Sequence, residues 1–145
     1  MGIKDLIRIK KVDDDDIEFL YDILKERNSK INVKHNELPT FEQHTSFVKS
    51  KPYDEWYIIM AETKKVGHIH LYNDDAIGWF VKNEYKRMGF VIPAFNELKR
   101  IHKRKKYLGR VNPMNSEAIN LLLKLKFTVK TVYPDHILYE YKCLD

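Results

Sequence analysis

Two histidines that lie two residues apart are the first side chains in this sequence with the chemistry of a catalytic group. His68 and His70 fall within a predicted strand at residues 66–72, and residues two apart on a strand point to the same face of a sheet. A neutral imidazole accepts a proton near neutral pH, so either side chain is a candidate general base. The pair also has the spacing of two metal ligands, but the sequence indicates no third ligand, and we predict no metal site.

An aspartate in the turn after these histidines is a second candidate base. Asp75 directly precedes a predicted strand at residues 76–82. Aspartate is equally typical of a hairpin turn, so the position leaves both roles open. We favour His70 as the base because it lies nearer to the turn at residues 72–75. A histidine that only packs against its neighbours, or lies on the surface, is the alternative interpretation for both imidazoles.

A basic loop between a strand and a helix has the features of an anion site. The run Phe80-Val81-Lys82-Asn83-Glu84-Tyr85-Lys86-Arg87-Met88-Gly89-Phe90-Val91 ends the strand and begins a helix predicted at residues 90–105. Such a loop directs backbone N–H groups and the positive helix end at one point, which suits a pyrophosphate. Gly89 would let the backbone approach the anion, and Lys86 and Arg87 add charge. An ordinary turn with solvated side chains is the alternative.

A second motif segment follows the next predicted strand. It begins with Arg110-Val111-Asn112-Pro113-Met114-Asn115 and continues through a helix predicted at residues 116–125 to Lys126-Phe127, with Asn115 placed to cap that helix. In this order and spacing, the two segments resemble the GNAT acyl-CoA N-acyltransferases. In that family a strand ending in Val leads to a loop of pattern Arg/Gln-x-x-Gly-x-Gly/Ala, which holds the pyrophosphate of coenzyme A. A later Asn-x-x-Ala-Ile helix, ending in Gly-Phe, contacts the cofactor from the other side.

The resemblance implies a cofactor site for acetyl-CoA as acyl donor. The backbone of Phe80 and Val81 would contact the pantetheine arm, and Asn115 would contact the cofactor. The pyrophosphate would be held by the loop residues Lys86, Arg87, Met88, Gly89, Phe90 and Val91. The implied reaction is direct attack of a neutral primary amine on the thioester, with His70 or Asp75 removing a proton. Backbone N–H groups near Phe80 and Val81 would stabilise the oxyanion.

Four positions depart from the family pattern. Lys86 stands where Arg or Gln is usual, Val91 replaces the second small residue, and Lys126 replaces the Gly before Phe127. Leu122 occupies the place where many members carry a Tyr that protonates the departing thiolate. Either another residue or water serves as the acid, or the chain is a catalytically silent module that binds acyl-CoA or a partner protein.

The acceptor is suggested by a weaker likeness. Residues 40–48 and the following Trp56-Tyr57 resemble the substrate side of GNAT members that acetylate amino sugars on nucleotide carriers. This makes His44 and His68 candidate substrate-binding residues, although a core-facing histidine is the alternative for His44. A nucleotide-linked amino sugar is our leading expectation, ahead of a protein N-terminus, a lysine or a polyamine, because a basic surface suits a diphosphate and repels a polycation.

The elements that must position these residues follow from hydrophobic patterning and from turn and capping signals. Short polar breaks separate three consecutive strands, as antiparallel hairpins require. The predicted order is β-α-α-β-β-β-α-β-α-β-β, with strands at residues 6–12, 56–62, 66–72, 76–82, 107–112, 127–133 and 137–142. We expect one α/β (α+β) domain over residues 1–145 with a GNAT-like fold. Its mixed, mostly antiparallel central sheet has about seven strands flanked by about four helices.

Composition argues against a membrane protein and against a nucleic-acid-binding protein. The 145 residues are 43% hydrophobic, with a net charge of +5 and a single cysteine, Cys143. No run approaches the ~20 apolar residues of a membrane helix, and one cysteine suits a reducing cytoplasm, so we expect a cytoplasmic protein that does not bind membranes. The basic run at residues 99–106 contains no aromatic residue to stack on bases, which argues against nucleic-acid binding. For the oligomeric state, the sequence is compatible with a monomer and with a homodimer.

Overall fold

The helices and strands of the chain occur in the order that the patterning predicts. A computed structural model describes residues 6–27 and 38–143, so the loop predicted at residues 28–38 lies almost entirely outside the described residues. The elements are β1 Ile7–Lys11, α1 Ile17–Glu26, α2 Phe41–Lys49, β2 Glu55–Ala61, β3 Lys64–Leu71, β4 Ala76–Val81, α3 Val91–Ile101, β5 Lys106–Val111, α4 Ser116–Lys124, β6 Thr128–Val132 and β7 Ile137–Lys142. Short 3-10 turns precede α1 and follow β4.

The strands form one mixed sheet of seven strands in the order β1-β2-β3-β4-β5-β7-β6. Every neighbouring pair is antiparallel except β4 and β5, which run parallel. The expected single α+β domain with four helices is confirmed. No helix within the described residues is long and apolar enough to cross a lipid bilayer.

The two faces of the sheet carry different helices. The larger core cluster joins α3 and α4 to one face, through side chains such as Phe95, Leu98 and Leu122. A smaller cluster, with Leu20 and Val48, covers part of the other face with α1 and α2. Because side chains alternate along a strand, His68 and His70 lie on the α1–α2 face, whereas Ile69 and Leu71 belong to the larger core.

The parallel strands β4 and β5 separate after a short contact. β4 pairs with β3 at five positions, from Ile77 to Val81, but it pairs with β5 only at Ala76 and Ile77. Beyond Ile77 the two strands diverge, which leaves a wedge between residues 78–81 of β4 and residues 110–111 of β5. We call this wedge the strand gap.

Local capping signals account for where the helices begin. The predicted capping box of α2 is present, since Thr40 Oγ1 accepts from Gln43 N at 3.1 Å and Gln43 Oε1 accepts from Thr40 N at 2.9 Å. Pro93 lies in the first turn of α3, where its missing N–H is not needed. The predicted end of α3 at Lys105 is wrong: the helix ends at Ile101. There the Tyr107 hydroxyl donates to the His102 carbonyl at 2.6 Å and turns the chain towards β5.

Candidate active site

The strand gap exposes backbone groups of two residues of β4. Lys82 N donates to Val66 O at 2.9 Å and Tyr72 N donates to Ala76 O at 2.8 Å, so even-numbered residues of β4 direct their N–H and C=O towards β3. By the alternation of an antiparallel ladder, Trp79 and Val81 direct theirs towards the gap, where no described strand pairs with them. The backbone of Phe80, which is in register with His68, faces β3 instead.

Trp79 is therefore a candidate site residue that was not predicted from the sequence, while Val81, which was predicted to contact the cofactor, lines the gap. The free backbone groups of Trp79 could have been predicted from the sequence. In an antiparallel hairpin, every second residue directs its N–H and C=O away from the partner strand. The missing information was the register of β3 against β4, which the turn at residues 73–75 sets.

The basic loop leads from the gap to the N-terminus of α3. Arg87 and Gly89 adopt left-handed backbone angles, with φ of 65° and 80°. Gly89 is needed for that angle and not for space, since a Cβ there would meet nothing within 4 Å. Phe90, the N-cap residue of α3, makes no side-chain cap, so the first N–H groups of the helix stay available to an anion. Lys86, Arg87 and Met88 are exposed, whereas Phe90 and Val91 are buried in the core.

The two motif segments meet in the structure. Arg87 pairs with Glu117 in the first turn of α4, with an N–O distance of 2.8 Å. Asn115 caps the same helix, and its Oδ1 accepts from Ala118 N at 3.1 Å. The loop after β4 and the start of α4 therefore lie side by side, next to the ends of β4 and β5 that line the gap.

His70 lies directly over Gly78 at the mouth of the gap. A Cβ on Gly78 would come within 2.2 Å of His70 Nε2, so only glycine leaves room for the ring. On the other side Tyr53 stacks on the imidazole at a centroid distance of 3.9 Å. The His70 side chain is buried, and its Nδ1 has no hydrogen-bond partner among the described residues.

Burial keeps both histidines neutral. It lowers the pKa of His68 to about 3, and the charges of Arg27 and His44 act in the same direction. The pKa of His70 is lowered well below 6.5 by burial, then by His68 and Arg27. His68 Nδ1 accepts a hydrogen bond from Trp56 Nε1 at 3.1 Å, which places its proton on Nε2.

Three other positions that the sequence singles out, two of them predicted site residues, have structural partners of their own. Asp75 lies at the start of β4, at the opposite end from the gap, with a φ of 73° and its carboxylate 3.6 Å from Arg104 Nε. His44 is buried between α1 and α2, and its Nε2 donates to Ile17 O at 3.0 Å. Leu122 is buried against Gly109 of β5, where an added Cβ would lie 2.9 Å from Leu122 Cδ2.

The basic run at residues 99–106 does not form one positively charged stripe. Lys99 lies over the ring of Tyr141 at 4.5 Å, Arg100 pairs with Glu97 at 2.9 Å, and Arg104 pairs with Asp54 at 2.9 Å. Its charges are thus partly neutralised.

Two open clefts lie elsewhere, beside the N-terminus of α1. Their volumes are about 490 and 580 Å³, and both are lined by Asp14, Asp15 and Lys49. Within the described residues, no group of three His, Cys, Asp or Glu side chains is placed to hold a metal ion.

Comparison with known proteins gives a structural likeness without a sequence match. No protein-family model matches the chain, and a search of curated proteins finds no match. The ribosomal L7/L12 alpha-N-protein acetyltransferase RimL, solved in complex with coenzyme A, superposes with a TM-score of 0.80 at 12% identity, covering 97% of this chain and 96% of its own. The microcin C7 self-immunity acetyltransferase MccE, solved with acetyl-CoA and AMP, gives 0.78 at 16%, covering 96% and 93%.

A third similar structure is a mutant of the spermidine N-acetyltransferase SpeG from Vibrio cholerae. It gives a TM-score of 0.74 at 14% identity, covering 95% of this chain and 94% of its own. Likenesses at these identities establish the path of the backbone and not the reaction. The chain has the GNAT acetyltransferase fold.

Proposed function

We propose that the protein transfers the acetyl group of acetyl-CoA to a primary amine by direct attack. The observation that carries this proposal is the strand gap, where no described strand pairs with the backbone of Trp79 and Val81 and the basic loop lies next to these two residues. An elongated thioester with a pyrophosphate fits both features at once. The similar proteins RimL and MccE were solved with coenzyme A and acetyl-CoA, which supports the same cofactor.

The loop residues and Val81 bind the cofactor, and Trp79 stabilises the negative charge that develops during the reaction. Residues 86–91 and the free N–H groups at the start of α3 hold the pyrophosphate. Val81 forms backbone hydrogen bonds with the pantetheine arm, as a strand partner would. The Trp79 N–H donates to the thioester oxygen, where negative charge develops when the amine attacks. These N–H groups are held in place by the β3–β4 ladder before the substrate arrives.

His70 is the residue that we propose as proton acceptor, directly or through one water molecule. Its ring lies on Gly78, one residue before Trp79 and on the face opposite α3. Because burial lowers its pKa well below 6.5, it is neutral and free to accept at every pH where the protein would work. It is also a weak base for the same reason, so the amine must arrive unprotonated. Asp75 has no place in this mechanism, since it lies at the other end of β4.

The acceptor that we expect is a nucleotide-linked amino sugar. The similar proteins include enzymes described as acting on a ribosomal protein and on spermidine, so a protein amine and a polyamine are the alternatives. Phe80, His68 and Arg27 offer aromatic and cationic contacts beside the gap, which suit a ring and a phosphate better than a polycation.

A second function is favoured by Leu122. Its side chain is part of the core, packed on Gly109, so this position supplies no acid for the departing thiolate. A module that binds acyl-CoA without turning it over would have the same gap and loop. Binding with no acetylation of any amine would select this function.

Calorimetric titration with acetyl-CoA and with desulfo-CoA tests the proposal. We expect micromolar binding that is lost in the Lys86→Ala/Arg87→Ala variant. The matched control is Lys103→Ala/Lys105→Ala, which removes the same charge from two exposed positions after α3. Equal losses in both variants would point to a general charge effect, and no binding at millimolar acetyl-CoA would reject the function.

A further inference from the structure

Arg27 lies at the end of α1 with its guanidinium above the ring of Phe80. The distance from its central carbon to the ring centroid is 4.1 Å. Phe80 in turn lies 5.4 Å from His68, which neighbours His70 at 5.9 Å. The arginine therefore reaches from a helix across the α1–α2 face to the rim of the strand gap.

This guanidinium has no carboxylate partner among the described residues. Four other arginines do have one: Arg87 pairs with Glu117, Arg100 with Glu97, Arg104 with Asp54 and Arg110 with Asp74. The adjacent carboxylate, Glu26, accepts a hydrogen bond from Asn83 N at 2.8 Å and so is directed at the basic loop. Arg8 also has no carboxylate partner among the described residues, but it is exposed on β1.

The groups around Arg27 that belong to the described part of the chain are neutral. Burial lowers its pKa, and the ionisable groups that act on it are the hydroxyls of Tyr53 and Tyr72. Burial raises the pKa of both tyrosines and keeps His68 and His70 uncharged. A half-buried cation without a counter-charge is costly to keep, and a planar guanidinium stacked on an aromatic ring is well suited to carboxylate or phosphate.

The position of Arg27 places it on the acceptor side. α3 and the basic loop lie on the face where the side chains of Trp79 and Val81 pack against the larger core, so the cofactor reaches the gap from that face. An amine must then approach the thioester from the opposite face. That face carries Gly78 and Phe80 of β4, with Arg27 over Phe80.

We propose that Arg27 binds an anionic group, a carboxylate or a phosphate, on the amine that is acetylated. The inference rests on the proposed function and narrows its substrate class to amines that also carry a negative charge. It makes Arg27 a specificity residue and disfavours polyamines, which would be repelled by its positive charge at the entrance.

Matched amines of small size test this inference on the full chain. Acetylation is measured with propylamine, β-alanine, O-phosphoethanolamine and spermidine, and binding of each amine is measured with desulfo-CoA in place of the acetyl donor. We expect an anionic amine to exceed propylamine in kcat/KM by on the order of 10- to 100-fold, the range for a charge-assisted hydrogen bond. The more effective of β-alanine and O-phosphoethanolamine tells carboxylate from phosphate.

The variants Arg27→Gln and Arg27→Lys, with Arg100→Gln as control, assign the preference to one residue. Arg27→Gln should raise KM for the anionic amine and remove its advantage, Arg27→Lys should restore part of it, and Arg100→Gln should change nothing. The inference is overturned if propylamine or spermidine is preferred, if neither anionic amine binds or reacts, or if Arg27→Gln weakens acetyl-CoA binding instead. If the wild-type chain does not bind acetyl-CoA, the proposed function itself is rejected, so the two failures are distinguishable.

Discussion

Gly78 and His70 show how one residue on β4 determines the orientation of another on β3. The imidazole occupies the volume that any side chain at position 78 would need, and Tyr53 closes the opposite side of the ring. The ring therefore has one position, at the point where β4 leaves β5. A side chain held in this way suits proton transfer, because little reorganisation is needed when the substrate binds.

The substitution Gly78→Ala should disturb this packing. The new methyl group would lie 2.2 Å from His70 Nε2, and overpacking of this kind costs about 1–3 kcal/mol of unfolding free energy. Urea unfolding of Gly78→Ala, His70→Ala and the double variant measures the coupling directly. A coupling energy near zero would show that the ring moves away freely.

The substitution His70→Ala should lower kcat far more than it weakens acetyl-CoA binding, since the ring lies against Gly78 beside the strand gap and not in the basic loop. In the wild type, the rate should rise with pH in proportion to the fraction of the amine that is deprotonated. No rising limb near 6.5 should come from His70, because burial lowers its pKa well below that value. An unchanged kcat in the variant would remove His70 from the mechanism.

His68 should make the fold sensitive to acid. Its pKa is about 3 in the folded state and 6.5 in a solvated chain, so the unfolded state takes up the proton first as the pH falls. Stability from this residue is therefore complete above pH 6.5 and declines towards pH 3. At about pH 5 the loss is roughly 2 kcal/mol. Urea unfolding at neutral pH and at about pH 5 measures the fall in the free energy of unfolding between the two. This fall should be smaller in His68→Gln than in the wild type by that amount.

At the scale of elements, the β3–β4 hairpin sets which backbone groups are free. Amide hydrogen exchange should alternate along β4, with Gly78 and Phe80 protected by β3 and Trp79 and Val81 exchanging rapidly. Desulfo-CoA should slow exchange at Trp79 and Val81 and leave Phe80 unchanged. Equal protection of all four amides without ligand would mean that the gap is closed in solution.

The order of the elements was predictable because each boundary has a local cause. The Thr40–Gln43 capping box, the polar breaks between strands and Pro93 in a first turn act over a few residues. The strand gap was not predictable from patterning, since nothing in the residues of β4 or β5 states how far two parallel strands stay paired. The end of α3 was missed for a similar reason: it depends on Tyr107, a residue of the next strand.

The candidate site was predictable to a comparable degree. The loop, Asn115 and the strand position of His70 follow from motif order and spacing. Burial of His44 and Leu122, the partner of Asp75 and the stacking of Arg27 on Phe80 depend on contacts between distant segments. Such contacts have no signature in a single sequence.

At the scale of the whole molecule, one sheet joins both cores, so we expect a single cooperative unfolding transition. Acetyl-CoA at about 100 times its dissociation constant should raise the unfolding free energy by about 2.7 kcal/mol. Unfolding curves followed by circular dichroism with and without the ligand measure the shift. The Lys86→Ala/Arg87→Ala variant should show no shift, and a shift of equal size there would place the ligand elsewhere.

The chain has two tryptophans, and they stand on opposite sides of the proposed reaction. The Trp79 side chain packs against the larger core and its backbone N–H faces the gap, whereas Trp56 donates its indole N–H to His68 on the acceptor face. The protein thus carries two intrinsic fluorophores, one beside the proposed position of each substrate. With Trp79→Phe or Trp56→Phe, emission from the remaining indole would report the arrival of amine or cofactor separately, and the order of binding could be observed without any label.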